Sequence, residues 1–213
     1  MAYYNNFKMM PYIPYKIIEY LAYNNENLWK ILKYNTYDCL SEPDLTFNEK
    51  MELIWSHQGN QEDYRIFITA LVENMIPISE TMIKIYKDIT VPRTPINAVA
   101  GYEIDILYGG KISLIEYNGI PCNRGDVCEA EILSTLNGVE VNGVGRLEFN
   151  TQKISSSRSA LNIGDNKSFT GTSLLLAVDI SDIGRRHTAR NIQQTWINEQ
   201  VSEVTGSSIC YNT

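Results

Sequence analysis

Over the first sixty residues the hydrophobic positions recur at helical spacing. From Tyr15 to Tyr23, Ile17, Ile18, Leu21 and Ala22 fall on one face of a helix. The Asn24-Asn25 step breaks that helix and can cap a second, in which Leu28, Ile31 and Leu32 make another apolar stripe. Thr46-Phe47-Asn48-Glu49 fits a capping box, where the threonine oxygen and the glutamate satisfy orphan N–H groups reciprocally. The helix it opens is expected to bury Met51, Leu53, Ile54 and Trp55 and to end near Gly59.

The period then shortens to two. Arg65 to Val72 is rich in β-branched and aromatic residues and reads as a strand, with a helix from Gln61 as the alternative pattern. In Thr81 to Ile89, Met82, Lys84, Tyr86 and Asp88 alternate with Ile83, Ile85 and Lys87. In Ala98 to Tyr108, Tyr102, Ile104, Ile106 and Tyr108 alternate with Glu103, Asp105 and Leu107. Together they predict a hairpin, and its Val91-Pro92-Arg93-Thr94-Pro95 loop is expected to lie outside the ladder because prolines lack a donor.

Ile112, Leu114 and Ile115 precede an Asn118-Gly119 turn and Pro121. Gly125 to Leu136 reads as a helix with acidic residues in its first turns and Asn137-Gly138 at its end. Two further strands, Gly143 to Asn150 and Ser168 to Ile180, flank a polar, serine-rich stretch from Thr151 to Lys167 that reads as a surface loop. The expected fold class is α+β. An N-terminal helical region (1–60) is followed by a ββαββ antiparallel-sheet domain with one covering helix (61–181) and a C-terminal arm (182–213).

Composition supports a folded chain: 213 residues, 44% hydrophobic and 20% charged. No apolar run approaches the roughly 20 residues that span a bilayer, and Met1 to Asn6 has no signal-peptide pattern. The expectation is a protein made in a cytoplasm. A net charge of −7 argues against general duplex-DNA binding, which needs cations to displace phosphate counterions.

Candidate chemistry is sparse. Cys39, Cys122, Cys128 and Cys210 form no C-x-x-C pair, and His57 and His187 lie far apart, so no metal is expected. No phosphate loop, nucleophile elbow or cysteine-protease signature accompanies His57, Ser156-Ser157 or Cys39. Asp126, Glu129 and Glu131 suit a helix N-terminal region, and Glu103 and Asp105 a solvated sheet face. Catalytic residues, cofactors and metal ligands are therefore expected to be absent. Tyrosines 3, 4, 12, 15, 20 and 23 form a candidate aromatic contact surface or pack on the domain.

The residues 81–86, the proline-broken loop to Pro95, Gly101 to Tyr108 and Phe169 to Val178 look like the paired strands of tail-completion and tail-terminator proteins. In layout, from about residue 10 to 180, the chain resembles neck or head–tail connector proteins of tailed bacteriophages. The resemblance implies a ring-forming virion subunit between portal and tail, in contact with portal and neighbouring neck or tail proteins, whose lumen passes the genome without specific binding. A generic scaffold protein, or an enzyme with scattered catalytic residues, is the alternative. Arg185, Arg186, Arg190 and Trp196 are the expected interface residues of the arm, because a segment too poor in apolar residues for its own core orders against a partner. A frayed tail without a role is the other reading of that segment.

Overall fold

The computed structural model describes residues 5–56, 58–70, 80–94, 97–141, 144–149, 159–163 and 169–181. Helix α1 (Ile13–Asn24) starts with Pro14 in its first turn, where a missing N–H costs nothing. It buries Ile13, Pro14, Ile17, Ile18, Leu21 and Ala22. Asn25 adopts extended backbone and ends it. Its side-chain oxygen accepts from the Leu28 N–H and so caps α2 (Glu26–Lys33).

The Thr46/Glu49 capping box forms as expected, but α3 (Phe47–Glu52) is short. Leu53 and Ile54 are buried outside the helix, because the chain turns extended there. Trp55 N–H donates to Ile66 O, and Ile54 bridges Ile66 in parallel. The pairing diverts backbone groups that a longer helix would have used.

The expected strand near residue 65 is only β1 (Ile66–Phe67), and it runs parallel to β2 (Thr81–Thr94). The predicted hairpin is present. β2 pairs antiparallel with β3 (Asn97–Gly109) from Thr81 opposite Tyr108 to Thr94 opposite Asn97. The proline-bearing stretch does not leave the ladder: Val91 faces Val99 and Pro92 faces Ala98, with a register shift before Thr94. β1 reaches β2 only at Ile83 and Lys84, so among the described residues Pro92 lies on an edge, where a strand needs no outward donor.

After β3 comes a separate hairpin of β4 (Leu114–Tyr117) and β5 (Ile120–Asn123). Its turn has Asn118 at φ 52° and Gly119 at φ 78°, the left-handed pair a two-residue loop demands. Helix α4 (Arg124–Leu136) follows, capped by the Asn123 side chain. Gly125 lets it approach the sheet, since a Cβ there would lie 2.2 Å from the Tyr108 ring.

Short strands β6 (Glu140–Val141) and β7 (Gly145–Glu148) form a tight pair. The stretch expected as a surface loop contains β8 (Ser159–Ile163). It pairs antiparallel with β9 (Phe169–Ser181), whose ladder offers partners that outweigh the polar composition. β9 runs the full length of β3, from Asn97 opposite Ser181 to Gly109 opposite Phe169, and so joins both halves into one sheet. The strand order is β1-β2-β3-β9-β7-β6, with β8 beside the other half of β9.

The fold is therefore α+β, with short N-terminal helices and a mostly antiparallel sheet. Ile83, Ile85, Ile104, Ile106, Leu174 and Leu176 alternate onto one face, where they share a core with Ile17, Trp29, Leu32 and Ile132 of the helices. Each such side chain, fully buried, contributes roughly 1.5–3 kcal/mol. Helical region and sheet share this single core. The arm, residues 182–213, lies outside the described residues.

Candidate functional site

Among the buried charges of the helix layer, Arg124 and Glu131 join segments far apart in the chain. Arg124 is fully buried and is held by carbonyls rather than a carboxylate. Its Nε donates to Ile112 O (2.7 Å), Nη1 to Ile31 O (3.0 Å) and Tyr34 O (3.1 Å), and Nη2 to Thr36 O (2.8 Å). Three of these oxygens lie at or just past the C-terminus of α2, the negative end of its dipole, where a cation is favoured. Burial lowers the Arg124 pKa, opposed by the neighbouring Cys39 and Cys128 sulfurs. In turn, burial raises the thiol of Cys39 and pushes that of Cys128 up to about 12. These are buried thiols, unsuited to nucleophilic work.

Glu131, 9% exposed, is the second hub. It accepts from Asn25 Nδ2 (2.9 Å), Asn27 Nδ2 (2.9 Å) and Tyr117 Oη (3.3 Å), tying α2, α4 and the β4–β5 hairpin together. The Glu131 charge raises the Tyr117 pKa. Sequence placed Glu131 only as one of a helix's acids. Its long-range partners left no local signal. Asp126, by contrast, is exposed in the first turn of α4.

The sheet face away from the helices corrects a second expectation. Glu103 and Asp105 are not on a solvated face: Asp105 is 3% exposed. The register sets Lys84, Asp105 and Ser173 side by side across three strands, and Tyr86 beside Glu103. Lys84 Nζ lies 2.9 Å from Asp105 Oδ2, which also accepts from Tyr86 Oη (3.2 Å), while Ser173 Oγ donates to Glu103. A neutralising lysine makes burial of the aspartate tolerable. Burial, and then the Asp105 charge, push the Tyr86 phenol upward. The alternation of Lys84 and Tyr86 opposite Glu103 and Asp105 was visible in sequence, but the depth of the face was not.

Among the described residues outside the core, Ile89 is exposed by itself on β2, and other large apolar side chains are exposed in two places. Tyr12 (61%), just before α1, and Tyr15 (43%) and Tyr23 (68%) on it follow one another at spacings that keep them on one side, with Tyr23 stacked on Phe47. Tyr20 instead packs against the core. The second place is the β4–β5 hairpin, with Leu114 (54%) and Ile120 (61%) exposed, and Tyr37 also exposed beside it, where its carbonyl accepts from Glu116 N–H. By register Leu114 and Ile120 lie on opposite faces of the hairpin. Sequence reasoning missed both exposed positions, although Asn118-Gly119 between two four-residue runs is a hairpin signature.

Arg185, Arg186, Arg190 and Trp196 lie outside the described residues, as do His57 and Ser156-Ser157. Among the described residues, no three His, Cys, Asp or Glu side chains gather as metal ligands, and no helix is long and apolar enough to cross a membrane. The groups brought together thus form hydrogen-bonded struts and two separate sets of exposed apolar side chains.

No curated protein and no solved structure matches the chain. A family model does, the one described as YomW, and it covers residues 25–178, from the cap of α2 almost to the end of β9. On that match over most of its length the chain belongs to the YomW family, which carries the name of a Bacillus phage-region protein.

Proposed function

We propose that this protein is a structural virion subunit that forms a ring in the phage neck, between portal and tail, and lines the DNA channel. The observation that carries the reading is that apolar side chains are exposed in two unlike regions, the tyrosines of the N-terminal helix and Leu114 and Ile120 on opposite faces of the β4–β5 hairpin. A ring needs heterologous contacts, in which one surface of a subunit meets a different surface of the next. Tyrosine is among the residues enriched at such contacts. The family's phage-region name narrows the setting in which such a ring would work.

The charge of −7 suits a channel that DNA slides through, since an acidic wall repels phosphate. The protein works in this reading without cofactor, metal or catalysis, and is made in the host cytoplasm before joining the virion. Portal and adjacent neck or tail proteins are its partners, and Trp196 of the arm serves as an anchor on a neighbouring chain.

Electron microscopy of the purified protein, alone and in its native particle, tests this. Closed rings at the head–tail junction are expected. A monomer or two-fold dimer that is absent from the particle overturns the reading.

A further inference from the structure

The chain has three Asn-Gly steps, and two of them, Asn118-Gly119 and Asn137-Gly138, fall on described residues. Both are exposed, yet the fold treats them differently. Asn137 caps the end of α4. Its side-chain oxygen accepts from Phe149 N–H (3.2 Å), and the main-chain nitrogen of Gly138 donates to Leu147 O (2.8 Å). At the β4–β5 turn, neither the Asn118 side chain nor the Gly119 N–H makes a hydrogen bond among the described residues. A Cβ built on Gly119 would meet nothing within 4 Å, so the nitrogen is open to approach. Asn118 is also held at φ 52°, a left-handed conformation that costs an L-residue energy, so the turn opens easily.

We propose that Asn118 is a site of spontaneous modification, at which its side-chain amide closes on the Gly119 nitrogen and loses ammonia, and that the product frees the hairpin from α4. The Gly119 nitrogen bonds to Asn118 Cγ, the Cγ–Nδ2 bond breaks, and the proton of the attacking N–H leaves with Nδ2 as ammonia. Water then opens the ring. Attack at Cγ breaks the new bond and leaves an aspartate. Attack at the main-chain carbonyl leaves an isoaspartate, with the chain running on through Cβ and Cγ. The step needs no oxidant and no cofactor. An isoaspartate adds a methylene to the main chain of a two-residue loop, whose length fixes Tyr117 opposite Ile120. The bond from Tyr117 Oη to Glu131 (3.3 Å), which ties the hairpin to α4, depends on that register and is lost with it. None of this depends on the neck reading.

Incubation of the full, unaltered chain at mildly alkaline pH, folded and in urea, tests it, with peptides fragmented by mass spectrometry to locate each carboxylate gained. In the folded protein Asn118 should convert about tenfold faster than Asn137, whose two hydrogen bonds must open first. In urea the two rates should converge, because both asparagines then precede an unhindered glycine. Equal rates in the folded protein, a slower Asn118, or the same preference in urea overturns the proposal. Hydrogen exchange of the converted protein tests the consequence. Amides of residues 114–123 should exchange several-fold faster than in fresh protein. Unchanged exchange there, or aspartate as the sole product, overturns the release of the hairpin.

Discussion

Arg124 and Ile31 stand 93 residues apart in the chain, yet the guanidinium of one donates to the carbonyl of the other at 3.0 Å. The same side chain holds Tyr34 O, Thr36 O and Ile112 O, so it supplies donors to a helix end and two loops at once. Arg124→Ala leaves several buried acceptors bare at about 1–3 kcal/mol each, partly relieved by entering water. A loss of about 4 kcal/mol in urea unfolding is expected. Arg124→Lys should lose about half of that, since an ammonium cannot reach carbonyls on both sides of a planar fork. Equal stability of Arg124→Ala and the parent would show that the fork carries no weight.

Glu131 offers a sharper substitution, because its three partners all donate. Both Asn25 Nδ2 and Asn27 Nδ2 point N–H groups at separate carboxylate oxygens. Glu131→Gln preserves size but puts an amide NH2 against one of those donors. The expected cost is about 1–3 kcal/mol of unfolding free energy, with Asn25→Asp, Glu131→Gln recovering part of it when Asn25 is the donor opposed. A double-mutant cycle with zero coupling would contradict the network.

Alkaline pH should weaken the fold. Burial raises the folded-state pKa of Cys128 from its ordinary 9.0 to about 12, and burial moves the Cys39 thiol and Tyr102 phenol upward too. A raised acid keeps its proton in the folded chain while the unfolded chain has already released it. Folding therefore binds protons between the two values, and stability falls as pH rises through the ordinary value toward the folded one. Cys128 alone accounts for up to about 1.4 kcal/mol per pH unit in that window. Urea unfolding at pH 8, 9 and 10 should show the decline, and Cys128→Ala should flatten the slope even if it lowers stability at pH 8. An unchanged slope in that variant would assign the decline elsewhere.

Local signals in the sequence led reliably to local structure. Asn25 between two apolar stripes marked a helix boundary, Thr46 with Glu49 marked a cap, and the alternation around Ile83 and Ile104 marked the central hairpin. What stayed hidden depends on partners distant in sequence. Pro92 remains in the ladder because its strand is an edge there, and β8 forms because β9 offers its open side. Neither fact resides in the residues themselves. The candidate surfaces divide in the same way. The abundance of tyrosine at the N-terminus was legible, but which of them pack and which stay exposed was not, and the burial of Asp105 and Arg124 required the register and the helix layer to be known.

The ring reading makes a demand that a symmetric dimer does not. If the α1 tyrosines of one subunit meet the β4–β5 hairpin of the next, either surface alone should be enough to block assembly when altered. Tyr15→Glu and Leu114→Glu replace exposed apolar side chains with charges, and neither position is in the core, so melting should stay within about 2 °C of the parent. Each variant alone should be monomeric by light scattering, because every prospective contact includes one blocked surface. Mixed together they behave differently. The Leu114→Glu chain keeps its tyrosines and the Tyr15→Glu chain keeps its hairpin, so one productive contact survives per pair and growth stops at a heterodimer. An isologous interface uses the same patch on both partners and gives no such rescue. A mixture that stays monomeric, or single variants that still build rings, would show that these two patches are not the surfaces that meet.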